Sequence, residues 1–571
     1  LRIEGKWKME KTVWVRKATG LTREIGTLTA VVIILCLVIG AGWQKRVFQV
    51  TGWSPMPEST FVLGLSPMCF AFILTAIPAL ATFFCLGFLS AAMPRSGGGY
   101  IHISRVVHPL AGFVATWIEF CWFWLGYGMI STLILESLMM FGGLAGWNIA
   151  PFVNPYSLFL WGTFMICIFA ALCSFGVRWF GWLIQILFWI PALILLGMYA
   201  IYLSATPAAV EAGVVALMGH TATEYTNAAL AQGMATAFKG GYWDAVNVAV
   251  IGAAWAWTGF ASVTFAAGEV KEASKKMVRI MMTGGIILTI FYITISQLMA
   301  NTAMMAGRVG DWSFFSAWGY LSYGGGSLTK AGLPPVAAWN PIMAAIAARG
   351  MGWTWIMVFL AVVGAFWLFN DLPPMILASS RMIFAMAFDG MLPRGLADVN
   401  ERWHSPTKAI WFTVVWALIG VGSESQIFNP AAGGINLGPF SLIFTTGIAA
   451  GDLWDYLYFT VICLAGLLIY YRRRDLYDRS PTWKVSVAGV PLVAIVGFIG
   501  FITNLWCDYV FLFNPKALNV GGITVNLESI FPFLFTLILL LIPVVLYFYY
   551  KARAEVTGVD YKTIFTEIPP E

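Results

Sequence analysis

Long apolar segments recur along the whole chain and constrain its fold more than any other feature. A helix needs about 20 apolar residues to cross the hydrocarbon core of a bilayer. Glycines and a proline at 433, 434 and 439 blur the boundary between the ninth and tenth segments. We predict twelve transmembrane helices, with approximate bounds 25–49, 66–92, 108–141, 156–175, 181–204, 245–268, 280–303, 353–387, 408–423, 440–471, 487–513 and 529–550.

Composition supports an all-α polytopic membrane protein with small extramembrane parts. Of 571 residues, 60% are hydrophobic and 11% are charged, whereas soluble domains carry about a quarter charged residues. The net charge of +6 does not indicate nucleic-acid binding, because the basic residues lie in short loops beside apolar runs. A multi-pass protein of the plasma membrane is therefore expected, with the lipid bilayer as its surroundings.

The distribution of Lys and Arg predicts that both termini are cytoplasmic. With the termini and every even-to-odd loop on that side, 26 of the 33 basic residues face the cytoplasm, as the positive-inside rule requires. The seven others are Lys45, Arg46, Lys239, Arg308, Lys330, Arg349 and Lys516.

The reactive side chains indicate neither an enzyme nor a metal site. All eight cysteines lie in apolar stretches and none has CxxC spacing, so neither a metal site nor a disulfide framework is predicted. The chain has no nucleotide-binding loop, no HExxH and no Ser/His/Asp set. We predict no cofactor.

The first apolar span contains two mid-membrane glycines, Gly40 and Gly42, on either side of Ala41. Each glycine costs roughly 1 kcal/mol of helix stability relative to alanine. Non-helical backbone at membrane depth is tolerated where protein or a water-filled cavity surrounds it. The span is therefore predicted to break here and to line a site. The alternative is a glycine pair that allows close helix packing.

The sixth span has a matching interruption, with Trp255, Ala256, Trp257 and Gly259 flanking a threonine. Paired interrupted spans in corresponding halves of a membrane protein indicate the binding site of an inverted-repeat transporter. We therefore favour a binding site at the two breaks over packing alone.

Two spans carry acidic residues that are functional candidates, because intramembrane charges are costly. Asp371 lies near the middle of the eighth span, beside Asn370 and ahead of Pro373 and Pro374. The prolines remove hydrogen bonds from carbonyl groups one turn earlier, so this point is a candidate proton or cation site. Glu119 in the third span is the second candidate. The alternatives are a paired aspartate at a helix kink and a protonated, hydrogen-bonded glutamate.

Three stretches give the chain a resemblance to the amino acid–polyamine–organocation permeases. Residues 92–100, AMPRSGGGY, are similar to that family's loop after the second span. Residues 380–393, from SR to FAMAFDGMLP, are similar to its exit from the eighth span. The glycines of the first span and residues 255–259 fall where the family has its helix breaks.

The resemblance implies a LeuT-type fold, with a five-plus-five inverted repeat and two further C-terminal helices. It implies a secondary transporter of amino acids or related amines. Backbone at Gly40, Ala41 and Gly42 would bind a substrate carboxylate, and carbonyl groups at Trp255, Ala256 and Trp257, next to Gly259, would bind its amine. The implied divisions are a cytoplasmic segment (1–24), a first repeat (25–204), an external loop (205–244), a second repeat (245–471) with an external loop (303–352), two last helices (487–550) and a cytoplasmic tail (551–571).

Ion coupling is open between H+ and Na+, and we favour the proton. Many proton-coupled relatives carry a lysine in the fifth span, whereas residues 181–204 contain no charged residue. Asp371, with Asn370 beside it, is the expected carrier and Glu119 the reserve. The competing interpretation is a transport-inactive protein of the same fold, acting as a sensor or as a subunit of a larger membrane complex.

Overall fold

The computed structural model describes residues 20–40, 42–438, 440–441, 451–513, 527–557 and 561–568. The structure is helical apart from a hairpin of two short antiparallel strands, β1 (Ser486–Val487) and β2 (Val490–Pro491). The first half contains α1 (Thr27–Val38), a π-helical turn (Gly42–Arg46), α2 (Val47–Trp53), α3 (Pro67–Ala92), α4 (Gly99–Val106), α5 (Pro109–Leu144), α6 (Pro155–Ser174), α7 (Val177–Ser204), α8 (Pro207–Met218), α9 (Ala222–Ala231) and α10 (Met234–Ala237).

The second half repeats the pattern of long helices separated by short ones. It contains α11 (Tyr242–Trp257), α12 (Ser262–Phe265), α13 (Ala273–Ala303), α14 (Phe314–Tyr323), α15 (Asn340–Gly350), α16 (Ile356–Phe369), α17 (Leu372–Phe388), α18 (Thr407–Glu424), α19 (Gly451–Arg472), α20 (Arg474–Tyr477), α21 (Leu492–Phe513), α22 (Leu527–Val556) and α23 (Tyr561–Thr566). The segments 205–244 and 303–352 hold short helices, as long ordered connections commonly do.

Eleven of the described helical segments are long and apolar enough to cross a membrane, which confirms an all-α polytopic membrane protein. Helix α18 occupies the place of the predicted ninth span but is not among the eleven. Lys408 and Glu424 lie near its two ends and lower its mean hydropathy. Residues 442–450, near the start of the predicted tenth span (440–471), lie outside the described residues.

The long helices pack around a buried centre formed by α1, α3, α5, α11, α13 and α17. Helix α3 lies along α13, and α5 contacts both α17 and α18. Helices α6, α7, α21 and α22 carry many exposed apolar side chains, which suits a lipid-facing position. The centre of the bundle is therefore shielded from lipid by an outer layer of helices.

Two buried ion pairs join the last turn of α4 and the segment after α12 to the second half of α17 and the residue that follows it. The Arg381 guanidinium donates two hydrogen bonds to the Glu269 carboxylate, at 2.8 and 2.9 Å. Arg105 pairs with Asp389 at 2.7 Å, and both side chains are fully buried. The Ile25 amide donates to the Glu269 carbonyl oxygen. These contacts hold α1, α4, α12 and α17 together at this end of the bundle.

The glycine loop that precedes α4 packs against the same end. Gly97 and Gly98 both have positive φ angles, a conformation that favours glycine. The Gly97 amide donates to the Phe265 carbonyl oxygen at 2.7 Å, and a β-carbon added to Gly98 would lie 2.9 Å from the Phe265 amide nitrogen. The loop is thus a tight turn fixed against the end of α12.

Candidate functional site

The first span breaks at the predicted glycines. Helix α1 ends at Val38, and Ile39 has the non-helical angles φ −83° and ψ 59°. The chain becomes helical again at Gly42 as a π turn. Ala41 lies outside the described residues. The break predicted from the glycine pair is confirmed, and it leaves the last carbonyl groups of α1 without their helical partners.

The sixth span breaks one residue after Trp257. Thr258 is extended, with ψ 154°, and Gly259 has φ +85°, which side-chain-bearing residues rarely adopt. The Gly259 amide donates to Oδ2 of Asp455 at 3.1 Å. Glycine is therefore required at this position for backbone conformation, and its amide is already used within the protein.

The two breaks lie against each other. A β-carbon added to Gly42 would lie 2.8 Å from the Cα atom of Ala256, so the glycine is needed for this close approach. The Tyr292 hydroxyl, on α13, contacts the carbonyl oxygens of both Val38 and Ala256, the latter at 2.6 Å. Gly42 therefore also allows close helix packing, which was the alternative explanation of the glycine pair, and it does so at the point where the helices are broken.

The eighth span is only slightly interrupted at Asn370 and Asp371, because both residues keep right-handed helical backbone angles and Ile356–Phe388 forms one candidate span. Helix α16 ends at Phe369 and α17 begins at Leu372, with Pro373 and Pro374 in its first turn. Proline fits there because first-turn amides have no helical partner. Asp371 is 1% exposed, and its Oδ1 atom has no hydrogen-bond partner among the described residues.

Asp371 and the first break meet directly. A β-carbon added to Gly40 would lie 2.1 Å from Oδ2 of Asp371. The carboxylate therefore lies over the bare backbone of Gly40, and no larger residue fits at position 40 without displacing it. The close approach joins two elements more than 300 residues apart in sequence.

A cavity of about 320 Å³ opens between the two breaks and the eighth span at Asp371. Its apolar wall includes Trp122 from α5 and Met375 from α17. Among the predicted site residues, the cavity is lined by Gly40, Gly42, Trp255, Ala256 and Asp371. The remaining predicted residues, Trp257, Gly259, Asn370 and Glu119, are not part of its lining.

Trp257 is a core residue on the far side of α11 from the cavity. Its indole N–H donates to Oγ1 of Thr75 at 3.0 Å, and its ring meets Tyr292 edge-on at 5.2 Å. Glu119 is fully buried, and its carboxyl group lies beside that of Asp455. The side-chain nitrogen and oxygen of Asn370 are buried without partners among the described residues.

Charged residues that the sequence did not assign to the site also line the cavity: Lys45, Arg46, Glu424 and Asp452. The Arg46 guanidinium lies 4.3 Å from the centre of a Trp255 ring, a cation–π geometry. Glu424 and Asp452 place opposite charge near Arg46. The signal for Lys45 and Arg46 is their position directly after the glycine pair, and the signal for Asp452 is its position in the tenth span, whose boundary the sequence left undefined.

A family model described as amino acid permease matches residues 25–543. The chain belongs to the amino acid permease family. This membership and the eleven apolar helices confirm a multi-pass membrane transporter rather than an enzyme, in agreement with the plasma-membrane location predicted above. The resemblance found in the three motifs is therefore confirmed at the level of the family.

Curated relatives of this permease are themselves named as transporters. A branched-chain amino acid permease of Lactococcus lactis is 24% identical over 273 residues, which cover 48% of this chain and only 47% of that protein. A methylthioribose transporter of Bacillus subtilis is 24% identical over 86% of this chain and 89% of its own length. A serine/threonine exchanger of Bacillus subtilis is 28% identical over 23% of this chain and 27% of its own length.

Proposed function

We propose that this permease is a secondary active transporter of amino acids or related amines, working by alternating access around the broken first and sixth spans. The observation that carries the proposal is the meeting of the broken first and sixth spans with Asp371 of the eighth span at one cavity. Helix termini inside a membrane offer both polarities to a substrate: free amide groups at an N-terminus and free carbonyl groups at a C-terminus. The names of the relatives, which include amino acid carriers, support this substrate class.

The LeuT-type arrangement, with two five-helix repeats and twelve spans in total, is part of the proposal. Support comes from the position of the breaks, in the first and sixth spans, and from α18, which fills the place of the ninth span. Residues 25–204 and 245–471 would then be the repeats. On the predicted orientation both termini are cytoplasmic, and the Glu269–Arg381 and Arg105–Asp389 pairs close the cytoplasmic exit.

Proton coupling through Asp371 is the third part of the proposal. A buried carboxylate is costly without a paired cation, and among the described residues no Lys or Arg forms an ion pair with Asp371. Sodium needs several oxygen ligands. The nearest hydroxyl groups further along the helix, at Ser379 and Ser380, lie about 12 Å from Asp371 at 1.5 Å per residue, too far to complete a sodium site with it. We therefore place the proton on Asp371, with Asn370 beside it and Glu119 as the reserve carrier.

Uptake by purified protein in proteoliposomes tests the proposal. A panel of radiolabelled amino acids and amines is offered under a proton gradient, directed inward in one set of vesicles and outward in another, and, separately, under an inward sodium gradient. We expect accumulation of one chemical group of substrates under the proton gradient alone. Accumulation that requires sodium and ignores pH would refute the coupling. A correctly folded protein that moves none of the panel under either gradient would refute transport of this substrate class and favour a sensor or structural subunit.

A further inference from the structure

The Asp371 carboxyl group occupies the place that an amino acid's carboxylate would take at the first break. Oδ2 of Asp371 lies so close to Gly40 that an added β-carbon would be only 2.1 Å from it. Two carboxylates side by side in a buried site repel each other, and one must give up its charge. The backbone of Gly40 is thus a poor receptor for a substrate carboxylate while Asp371 is ionised.

Two of the three carbonyl groups expected to bind the substrate's amine already have hydrogen-bond partners. The Trp255 carbonyl oxygen accepts from the amide and the hydroxyl of Thr258, at 3.2 and 2.7 Å. The Ala256 carbonyl oxygen faces the Tyr292 hydroxyl, which also contacts Val38. A carbonyl oxygen has two lone pairs, so Trp255 has none left for a ligand. An ammonium group in the cavity must find its main counter-charge elsewhere.

Asp371, at the apolar end of the cavity, is the acidic group that remains to pair with an ammonium group. The two basic residues of the lining have other partners: Arg46 lies over Trp255 near Asp452 and Glu424, and Lys45 lies near Glu136. The five charged residues of the lining, Lys45, Arg46, Asp371, Glu424 and Asp452, have a formal net charge of −1.

The surroundings of Asp371 contain two other titratable groups, the Cys36 thiol from α1 and the Tyr292 hydroxyl from α13. Both are neutral near physiological pH. No charged side chain of the described residues faces Asp371 from the helices packed against it. A cation that enters the cavity would therefore meet an uncompensated carboxylate beside apolar Leu37 and Met375.

We propose that this permease selects organic ammonium ions that lack a free carboxylate next to the amine, and that Asp371 binds them in exchange for its proton. The inference rests on the proposed transport function and narrows its substrate. In the exchange, the protonated Asp371 carboxyl group releases H+ and the ionised carboxylate pairs with the incoming R–NH3+, so charge and protons balance. One carboxylate cannot bind an amine and a proton at the same time. The site therefore carries the amine across the membrane in one direction and the proton in the other, which is antiport.

Matched probe pairs test the substrate class. Leucine and 3-methylbutan-1-amine, phenylalanine and 2-phenylethylamine, and serine and ethanolamine differ only by the carboxylate. Titration calorimetry on the full chain, in buffers of different ionisation enthalpy, reports both affinity and proton release. For at least one pair we expect the amine to bind about tenfold or more tightly than the amino acid and to release one proton. Tighter binding of the amino acid in every pair that binds would overturn the inference.

Two variants separate this inference from the broader function. Asp371→Asn should weaken amine binding about thirtyfold or more, as loss of one partner of a buried ion pair does. Asp508→Asn, at a buried aspartate of α21 that accepts from Thr460 and does not line the cavity, should bind amines as the wild type does. If Asp371 carried only the coupling proton, Asp371→Asn would keep full substrate exchange, which would refute amine binding but leave transport intact. Failure of all six probes and all amino acids to be transported would instead refute the proposed function.

Discussion

The Tyr292 hydroxyl is predicted to hold the two broken spans in register. It contacts carbonyl oxygens from both breaks, at Val38 and Ala256. Its ring stacks on Phe72 at 4.7 Å with an interplanar angle of 6° and meets Trp257 edge-on. Tyr292→Phe keeps this ring packing and removes only the oxygen, so the variant isolates the hydrogen bond from the packing.

The expected magnitude follows from the carbonyl group left without a donor. One hydroxyl donates one proton at a time, so the variant loses one buried hydrogen bond, which costs about 1–3 kcal/mol. That free energy corresponds to roughly a fivefold to 150-fold change in an equilibrium constant. We expect Tyr292→Phe to lower both the apparent melting temperature and the ligand affinity, measured by scanning fluorimetry and equilibrium binding on purified protein.

Tyr199→Phe is the matched control. The Tyr199 hydroxyl also forms a hydrogen bond with α13, 2.7 Å from Oγ1 of Thr294, but it does not contact either break. It should lower stability by a similar or smaller amount and leave affinity unchanged. Wild-type affinity in Tyr292→Phe would show that the hydroxyl does not support the site.

Three further substitutions test other parts of the site and fold. Gly42→Val should abolish substrate binding in a protein that still inserts, because its side chain collides with Ala256; unchanged affinity would refute this. Trp255→Ala should change which substrates compete in uptake, since this ring lines the cavity; unchanged selectivity would show that the ring is not a wall of the binding site. Trp257→Ala should instead lower the melting temperature, because the variant loses core packing. Burial raises the pKa of the Glu58 carboxyl group above its usual value, so the stability contributed by the neutral carboxyl group is lost as the pH rises from the usual pKa to the raised one. The melting temperature of Glu58→Gln should therefore rise relative to that of the wild type with increasing pH. A constant difference between the two melting temperatures would contradict this.

Local sequence signals predicted the breaks of the first and sixth spans and the interruption point of the eighth, because each depends on residues close together in the chain. The glycine pair of the first span, the Trp–Thr–Gly stretch of the sixth and the two prolines of the eighth each disfavour continuous helix on their own. The structure places a helix end at every one of them.

Contacts between distant segments were beyond the reach of the sequence. Nothing near Tyr292 indicates that its hydroxyl reaches two breaks, about 250 and 36 residues away. The approach of Asp371 to Gly40 likewise depends on how α16 and α17 pack against α1. Trp255 and Trp257 lie in the same apolar stretch of sequence. Because they are two positions apart on one helix, their rings lie on different faces, and one faces the cavity while the other faces the core.

A cryo-electron microscopy map of the permease, with the substrate that the uptake panel identifies, tests the central claim most directly. The claim is that the cavity between the broken first and sixth spans and the eighth span is the substrate site. The account predicts ligand density between Gly40, Trp255 and Asp371, with the cationic group of the ligand within ion-pair distance of the Asp371 carboxylate. Density at any other place, with this cavity empty at saturating substrate, would contradict it.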